Sequence, residues 1–365
     1  MAAEPRRVGQ GLTPKPVPLL TPELAGTSGI VRVSEEDFLV EELPLYPESG
    51  AGEHLYLTVE KRGRTTPEVA KEIARALGVR ERDVGTAGLK DKRAVTVQRM
   101  SFATRIPPEE ALRVVGPGYR VLAAARHANK LRPGHLRGNR FRIVVRGVVP
   151  DALARAEAIA ARLRQVGAAN LFGPQRFGKR GDNAELGRAL LLREREVRDR
   201  FLRRLALSAL QSELFNRCLA ARIADGLFST AIEGDVLKKR ATGGLFVCED
   251  RAADAPRVAS FEVDPAGPLP GHSLFAARGE ALRREEAVLA EAEVDPAWFA
   301  AGGQQMQGGR RTYRIIPEEL RIEPAGADSL AIAFALPKGS YAVSVLREIT
   351  KADVSQADSA PESNV

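Results

Sequence analysis

The stretch Gly88-Leu89-Lys90-Asp91-Lys92-Arg93-Ala94-Val95-Thr96 sets one carboxylate, Asp91, among three cations, directly before an extended run from Ala94 to Phe102. Cations within a few ångströms favour an ionised carboxylate. Such a carboxylate can act as a nucleophile, and the cations can hold a polyanionic substrate beside it. A Lys-Asp-Lys-Arg turn before a strand is also a common form of solvated surface loop. These residues alone leave both readings open, and the rest of the chain has to decide.

Upstream of the loop, residues 52–61 alternate, with Leu55, Leu57 and Val59 on one face and Tyr56, Thr58 and Glu60 on the other, the pattern of a strand with one buried face. A helix follows. Thr66 reads as its N-cap, Pro67 fits the first helical position, Val69, Ile73 and Leu77 recur at helical spacing, and Gly78 ends it. Further upstream, Ile30–Val33 and Asp37–Leu43 are short extended runs. Downstream come a strand over 119–125, a strand over 139–145 and a long helix over 150–166. Residues 167–183 are Gly-rich and basic, 197–225 helical and Arg-rich. Strands are expected over 235–249 and 258–263, a helix over 282–292, and a final strand over 329–336, after which Ser340 caps a helix over 341–350. Strands and helices mix without regular βαβ alternation, which argues an α+β fold rather than a doubly wound sheet.

The chain has 365 residues, enough for two domains, and carries 55 Lys+Arg against 47 Asp+Glu for a net charge of +8. A basic balance concerns partners, and nucleic acid fits it best. The segment 126–146 sharpens this. Arg126, Lys130, Arg132, Arg137, Arg140, Arg142 and Arg146 lie in it with no acid among them, a self-repelling run unless something anionic sits there. Of these, Arg126, Lys130, Arg132, Arg137 and Arg140 are the candidate RNA contacts. Within the run, Phe141, Ile143 and Val145 fall on one strand face and Arg140 and Arg142 on the other.

Other site types are poorly served. Cys218 and Cys248 lie in apolar runs and are expected as reduced core residues, and the four histidines are scattered, so no protein metal site is expected. No nucleotide-binding glycine motif and no nucleophile elbow is present, so no cofactor is expected. Acids cluster at Glu35, Glu36, Asp37, Glu41 and Glu42, which admits a glycoside-cleaving enzyme as an alternative. Only 5% of residues are aromatic, and the RNA-recognition aromatic signature is missing. No run reaches membrane-span length, so a cytoplasmic protein without membrane attachment is expected. From the residues themselves the reading is a protein that binds RNA or DNA and has one carboxylate, Asp91, suited to cofactor-free chemistry. A non-catalytic RNA-binding or chaperone protein would carry most of the same features.

Five separated segments, in order, go further. They are Asp37-Phe38-Leu39-Val40-Glu41-Glu42; Gly88 to Thr96 followed by Gln98; Ala125-Arg126-His127 to Gly138-Asn139-Arg140-Phe141; Asn170 through Gly178; and Leu336-Pro337-Lys338-Gly339-Ser340-Tyr341 to Glu348. Together they resemble the tRNA pseudouridine synthase D family over about residues 30 to 350. Two residues depart from the family pattern: Leu171 stands where an aromatic is usual, and Tyr341 where many members have Phe.

The resemblance implies a mixed, largely antiparallel sheet catalytic domain over 29–169 plus 309–351, and an inserted family-specific α/β domain over 170–308, the two facing each other across a cleft that takes RNA. A flexible arm over 1–28 and a disordered tail over 352–365 complete the expected organisation. The implied activity is isomerisation of a uridine in tRNA, at position thirteen of the D stem, to pseudouridine without a cofactor. The implied partner is tRNA alone, with no protein partner and a monomeric enzyme. By motif, Asp91 is the catalytic aspartate, Phe141 stacks on the target base, Asn139 holds Asp91, and Phe38 and Tyr341 line the pocket. Lys90, Lys92 and Arg93 bias Asp91 toward its ionised form and contact phosphate, and Arg347 is a further candidate cation.

Overall fold

The structure is a computed structural model that describes residues 12–301 and 306–354. The chain divides into two compact units, one holding residues 21–168 with 315 onward, the other residues up to 20 with 169–314.

The first unit is built on a ten-stranded sheet. Its strands include β1 (Ile30–Val31), β2 (Phe38–Pro44), β3 (His54–Arg62), β4 (Val84–Thr86), β5 (Val95–Ala103), β6 (Val115–Gly116), β7 (Tyr119–His127) and β8 (Leu136–Arg146), joined from the far end of the chain by Glu318–Gly326 and Ser329–Pro337. The order across the sheet is Glu318–Gly326, Ser329–Pro337, β8, β2, β5, β3, β7, β6, with β1 beside β8 and β4 beside β5. Every pairing is antiparallel except β2 with β5. The parallel step exists because helix α1 (Thr66–Ala76) and the Asp91 loop lie between β3 and β5, so the chain re-enters the sheet beside β2 just after that loop. The α+β architecture expected from the mixed element order is what forms.

Alternation in β3 works as its sequence requires. Leu55, Leu57 and Val59 are buried against Val69 and Ile73 of α1 and Leu77 just after it, with Met100 and Phe102 of β5. The helix begins one residue earlier than its sequence suggests. Thr65, not Thr66, is the N-cap, in a reciprocal capping box with Glu68. Thr66 is thereby released into the interior, where it serves the loop that holds Asp91. The last helix also differs from expectation. It spans Val343–Thr350, and neither Ser340 nor any other side chain caps it.

In the second unit, the 25-residue helix Arg200–Ala224 is capped by Asp199, whose carboxylate accepts from the Phe201 and Leu202 amides. It packs so closely on the helix Asn183–Leu191 that a Cβ at Gly187 would meet the Ala206 carbonyl oxygen at 2.2 Å. A four-stranded antiparallel sheet completes this unit, in the order Leu245–Val247, Val236–Lys239, Val263–Leu269, Gly309–Thr312. The strand expected to open at Val258 is instead preceded by a helix, Arg251–Ala259, because Asp250 caps it by accepting from Ala252 and Ala253. Cys218 and Cys248 are both free and buried.

The described part of the expected flexible arm is tied down. Lys15 N donates to Glu213 in one unit, and Thr21 Oγ1 donates to Glu348, with Thr27 N on the Ile349 carbonyl, in the other. Residues 1–11 of that arm, and 355–365 of the expected tail, lie outside the described residues. No described helix is long and apolar enough to cross a membrane.

Candidate active site

Asp91 is 5% exposed and sits in the loop between β4 and β5. Both of its oxygens are held. Oδ1 accepts from the Arg93 amide at 3.0 Å, and Oδ2 is ion-paired with the guanidinium of Arg32, itself buried. The same Arg32 donates from Nη1 to the Arg93 carbonyl at 2.9 Å, so one side chain clasps both the carboxylate and the backbone just after it. Arg32 follows β1 in the left-handed region, at φ 61°, which turns its side chain inward.

The loop backbone is pinned from below. Lys61, 1% exposed at the end of β3, donates from Nζ to the carbonyls of Asp91 at 2.6 Å, Arg64 at 2.8 Å and Lys90 at 3.4 Å. Burial pulls its pKa down to about 8, against the opposing pull of the Asp91 charge. The displaced cap residue Thr66 accepts from the Lys90 amide at 3.0 Å and donates to Gln98 Oε1 at 2.8 Å.

Arg32 also joins Asp91 to the aromatic residues. Its guanidinium carbon lies 3.7 Å from the Phe38 ring centroid. Phe38 meets Phe141 edge-on, with centroids 6.3 Å apart, and Phe141 packs on Phe334 at 5.3 Å. The register explains this. Val40 lies opposite Phe141 and Phe141 opposite Phe334, so these side chains share a sheet face. On that face Glu42 lies opposite Asn139. Asn139 Oδ1 is buried and accepts no hydrogen bond from the protein, and Gln98 Nε2, also buried, donates none.

The structure groups some of the residues singled out from the sequence and gives others different partners. Asp91, Phe38 and Phe141 are brought together, with Arg32 between them. Phe38 is 1% exposed, with Arg32 over its ring and Phe141 against its edge. Asn139 makes no side-chain bond to Asp91; the holding is done by Arg32 and the Arg93 amide. Lys90 is turned away from phosphate into a buried pair with Glu42 at 2.8 Å, both side chains nearly inaccessible. Lys92 and Arg93 are exposed beside Asp91. Tyr341 and Arg347 are half-buried, on the approach to and within the last helix, where burial pulls the pKa of Arg347 down.

The basic segment divides as well. Arg126 is committed to the carbonyls of Thr104 and Ile106. Lys130 reaches the Arg82 carbonyl at 2.7 Å, Arg132 and Arg137 are exposed, and Arg140 pairs with Glu41 at 3.1 Å and Glu319 at 3.6 Å on the face away from Phe141. Most of the clustered acids are likewise matched: Glu36 with Arg62, Asp37 with Arg146, Glu41 with Arg140 and Glu42 with Lys90. Among the described residues no cluster of His, Cys, Asp or Glu is arranged to hold a metal ion.

Sequence reasoning missed Arg32, Lys61 and Thr66. Lys61 carried a readable signal, because it continues the inward face of Leu57 and Val59 at a position where a charge is costly. Arg32 had none, since its role depends on one left-handed residue.

The family profile described as tRNA pseudouridine synthase D matches residues 17–198 and 196–349. A curated tRNA pseudouridine synthase D from Anaeromyxobacter sp. (strain Fw109-5) is 58% identical over 345 residues, covering 92% of this chain and 96% of that protein. One from Thermus thermophilus is 43% identical over 352 residues, covering 96% and 97%. Among solved structures, one from Methanosarcina mazei described as a putative tRNA pseudouridine synthase D aligns with a TM-score of 0.76 at 24% identity, covering 93% of this chain and 97% of that one, a likeness of fold.

Proposed function

The chain belongs to the tRNA pseudouridine synthase D family and isomerises uridine to pseudouridine in tRNA, and we propose that Asp91 carries the chemistry and that the target is the uridine at position thirteen of the D stem. The observation that supports Asp91 is its setting: a buried carboxylate, gripped through one oxygen by a backbone amide and through the other by Arg32, with the Phe38–Phe141 pair joined to the same guanidinium.

The reaction is redox-neutral. The N-glycosidic bond of the uridine breaks, the freed uracil turns, and a C-glycosidic bond forms to its C5, whose proton is finally lost. Asp91 either attacks the sugar carbon or removes a sugar proton to open a glycal route, and Arg32 holds the carboxylate in place for both. The detached uracil has to be kept from escaping. Phe141, backed by Phe334 and Phe38, offers an apolar platform, and Asn139 Oδ1 offers an acceptor for a uracil N–H. Flipping the uridine from a stem costs a few kcal/mol, to be offset by phosphate contacts. Lys92, Arg93, Arg132 and Arg137 are the exposed cations suited to them. Tyr341 is retained as a pocket residue and Arg347 as a secondary cation. The enzyme is proposed to act as a cytoplasmic monomer on tRNA, with no cofactor.

The test is direct. Wild type and Asp91→Asn are incubated with unmodified tRNA transcripts in the presence of a chelator, and pseudouridine is mapped by chemical adduct formation and primer extension. A single stop in the D stem for wild type, missing for the variant while tRNA binding persists, is the expected result. Substantial turnover by Asp91→Asn overturns its role, and a stop elsewhere overturns the position.

A further inference from the structure

We infer that an open hollow of about 540 Å³ at the turn between β7 and β8 is a second RNA subsite, binding the phosphodiester backbone of the tRNA strand beyond the target uridine; this rests on the tRNA reading above.

The hollow is lined by Tyr46, His127, Asn129, Lys130, Arg132 and His135, with no acidic side chain among its lining residues. Glu48, two residues from Tyr46, is neutralised by Arg99 at 2.5 Å. The aromatic parts are organised. Tyr46 stacks on His127 with ring centroids 5.1 Å apart and 11° between planes, and its hydroxyl lies 2.9 Å from His135 Nδ1. Ser49 N donates to His127 Nδ1 at 3.1 Å, which puts the neutral ring's proton on Nε2. His127 therefore has its Nε2 left to donate, and His135 bonds the Tyr46 hydroxyl through Nδ1, which leaves its Nε2 for a ligand. Lys130 uses one of its three protons on the Arg82 carbonyl, and Arg132 is exposed. Donors without acceptors, together with a flat ring pair, suit an anionic backbone with a base or sugar against the rings.

The hollow is also mechanically part of the Asp91 loop. Gly134 N donates to the Ala87 carbonyl at 2.8 Å, Leu131 N to Ser101 Oγ at 3.0 Å, and Lys338 Nζ to the Gly134 carbonyl at 3.1 Å. Tyr46 packs on the small core of Tyr56, Ala87, Leu131 and Leu136. Ala87 is four residues from Asp91, a span of at most about 14 Å. A strand seated in the hollow therefore fixes where along the stem Asp91 acts.

The experiment compares wild type with the Arg132→Ala/His135→Ala double variant, measuring affinity for a full-length tRNA transcript from about 50 to 200 mM salt. The expected result is severalfold weaker binding at low salt and a slope of log affinity against log salt shallower by about one for each phosphate no longer neutralised. The defect should appear in KM rather than in kcat. Affinity and slope equal to wild type overturn the subsite and leave an acidic polypeptide as the ligand to try. Should the double variant melt early, Arg132→Gln and Asn129→Ala, both at exposed positions, are judged by the same two readouts. Pseudouridine formation by wild type on the same transcript separates the ideas. If it forms and the variants bind normally, only the subsite falls; if it does not form, the tRNA reading itself falls.

Discussion

Arg32 and Asp91 form an ion pair in which the two side chains are only 2% and 6% exposed. A pair this buried is held by mutual need: removing one partner leaves an uncompensated charge, at a cost of about 3–5 kcal/mol. Arg32→Ala is therefore expected to lower the melting temperature and to abolish turnover together. Arg32→Lys keeps the charge but loses the fork that grips both Asp91 and the Arg93 carbonyl, and should recover stability more than activity. A thermal melt and a single-turnover assay on tRNA check both. Equal recovery of both properties by lysine would show that charge alone suffices.

Lys61 gives a pH dependence whose sign differs for stability and for activity. Its pKa is about 8 in the folded protein, below the ordinary lysine value of 10.5. Between those values the unfolded chain binds more protons, so the cost of burying the ammonium, present in full below about pH 8, is relieved as pH rises from there toward 10.5. A neutral amine has one proton fewer for the carbonyls of Arg64, Lys90 and Asp91. Turnover should therefore fall above about pH 8 while this group's contribution to stability rises. Lys61→Met should remove that alkaline limb and lower turnover at every pH. An unchanged pH profile in Lys61→Met would detach this lysine from the Asp91 loop.

The strands that carry the site were legible because each bears one apolar face: alternation in β3 and β8 placed Leu57, Val59, Phe141 and Ile143 inward as read. The loop motif located Asp91. What escaped the sequence was pairing across distance. Nothing local says that Lys90 will turn to Glu42, 48 positions away, or that Arg126 will bond the carbonyls of Thr104 and Ile106. A run of cations reads as one patch in sequence, yet a strand sends neighbouring side chains to opposite faces, and β8 divides its own arginines from Phe141 in this way.

That division makes a prediction within the basic segment. Arg140 is on the far face and already paired with Glu41 and Glu319, so Arg140→Ala should change tRNA affinity little. Lys92 is exposed beside Asp91, and Lys92→Ala should weaken binding and flatten its salt dependence by about one phosphate contact. Filter binding across a salt series distinguishes them, and the opposite ranking would put the RNA on the Arg140 face.

Asn139 offers the sharpest separation of function from stability. Its Oδ1 is buried on the sheet face shared with Phe141 and accepts no hydrogen bond from the protein. Leaving a buried acceptor unmatched costs about 1–3 kcal/mol, which a folded protein tolerates where a ligand will use the atom. If that ligand is the uracil, removing the amide relieves the folded enzyme and deprives the substrate complex. Asn139→Ala should then lose no more than about 1 kcal/mol of stability, since its small cavity is offset by the relieved acceptor, while kcat/KM falls by about ten- to a hundredfold, the kinetic equivalent of that bond. Asn139→Asp should fare worse, because it sets a second carboxylate opposite Glu42 in the register. A melting temperature that drops steeply with activity intact would mean that Asn139 braces the sheet and that the uracil finds its acceptor elsewhere.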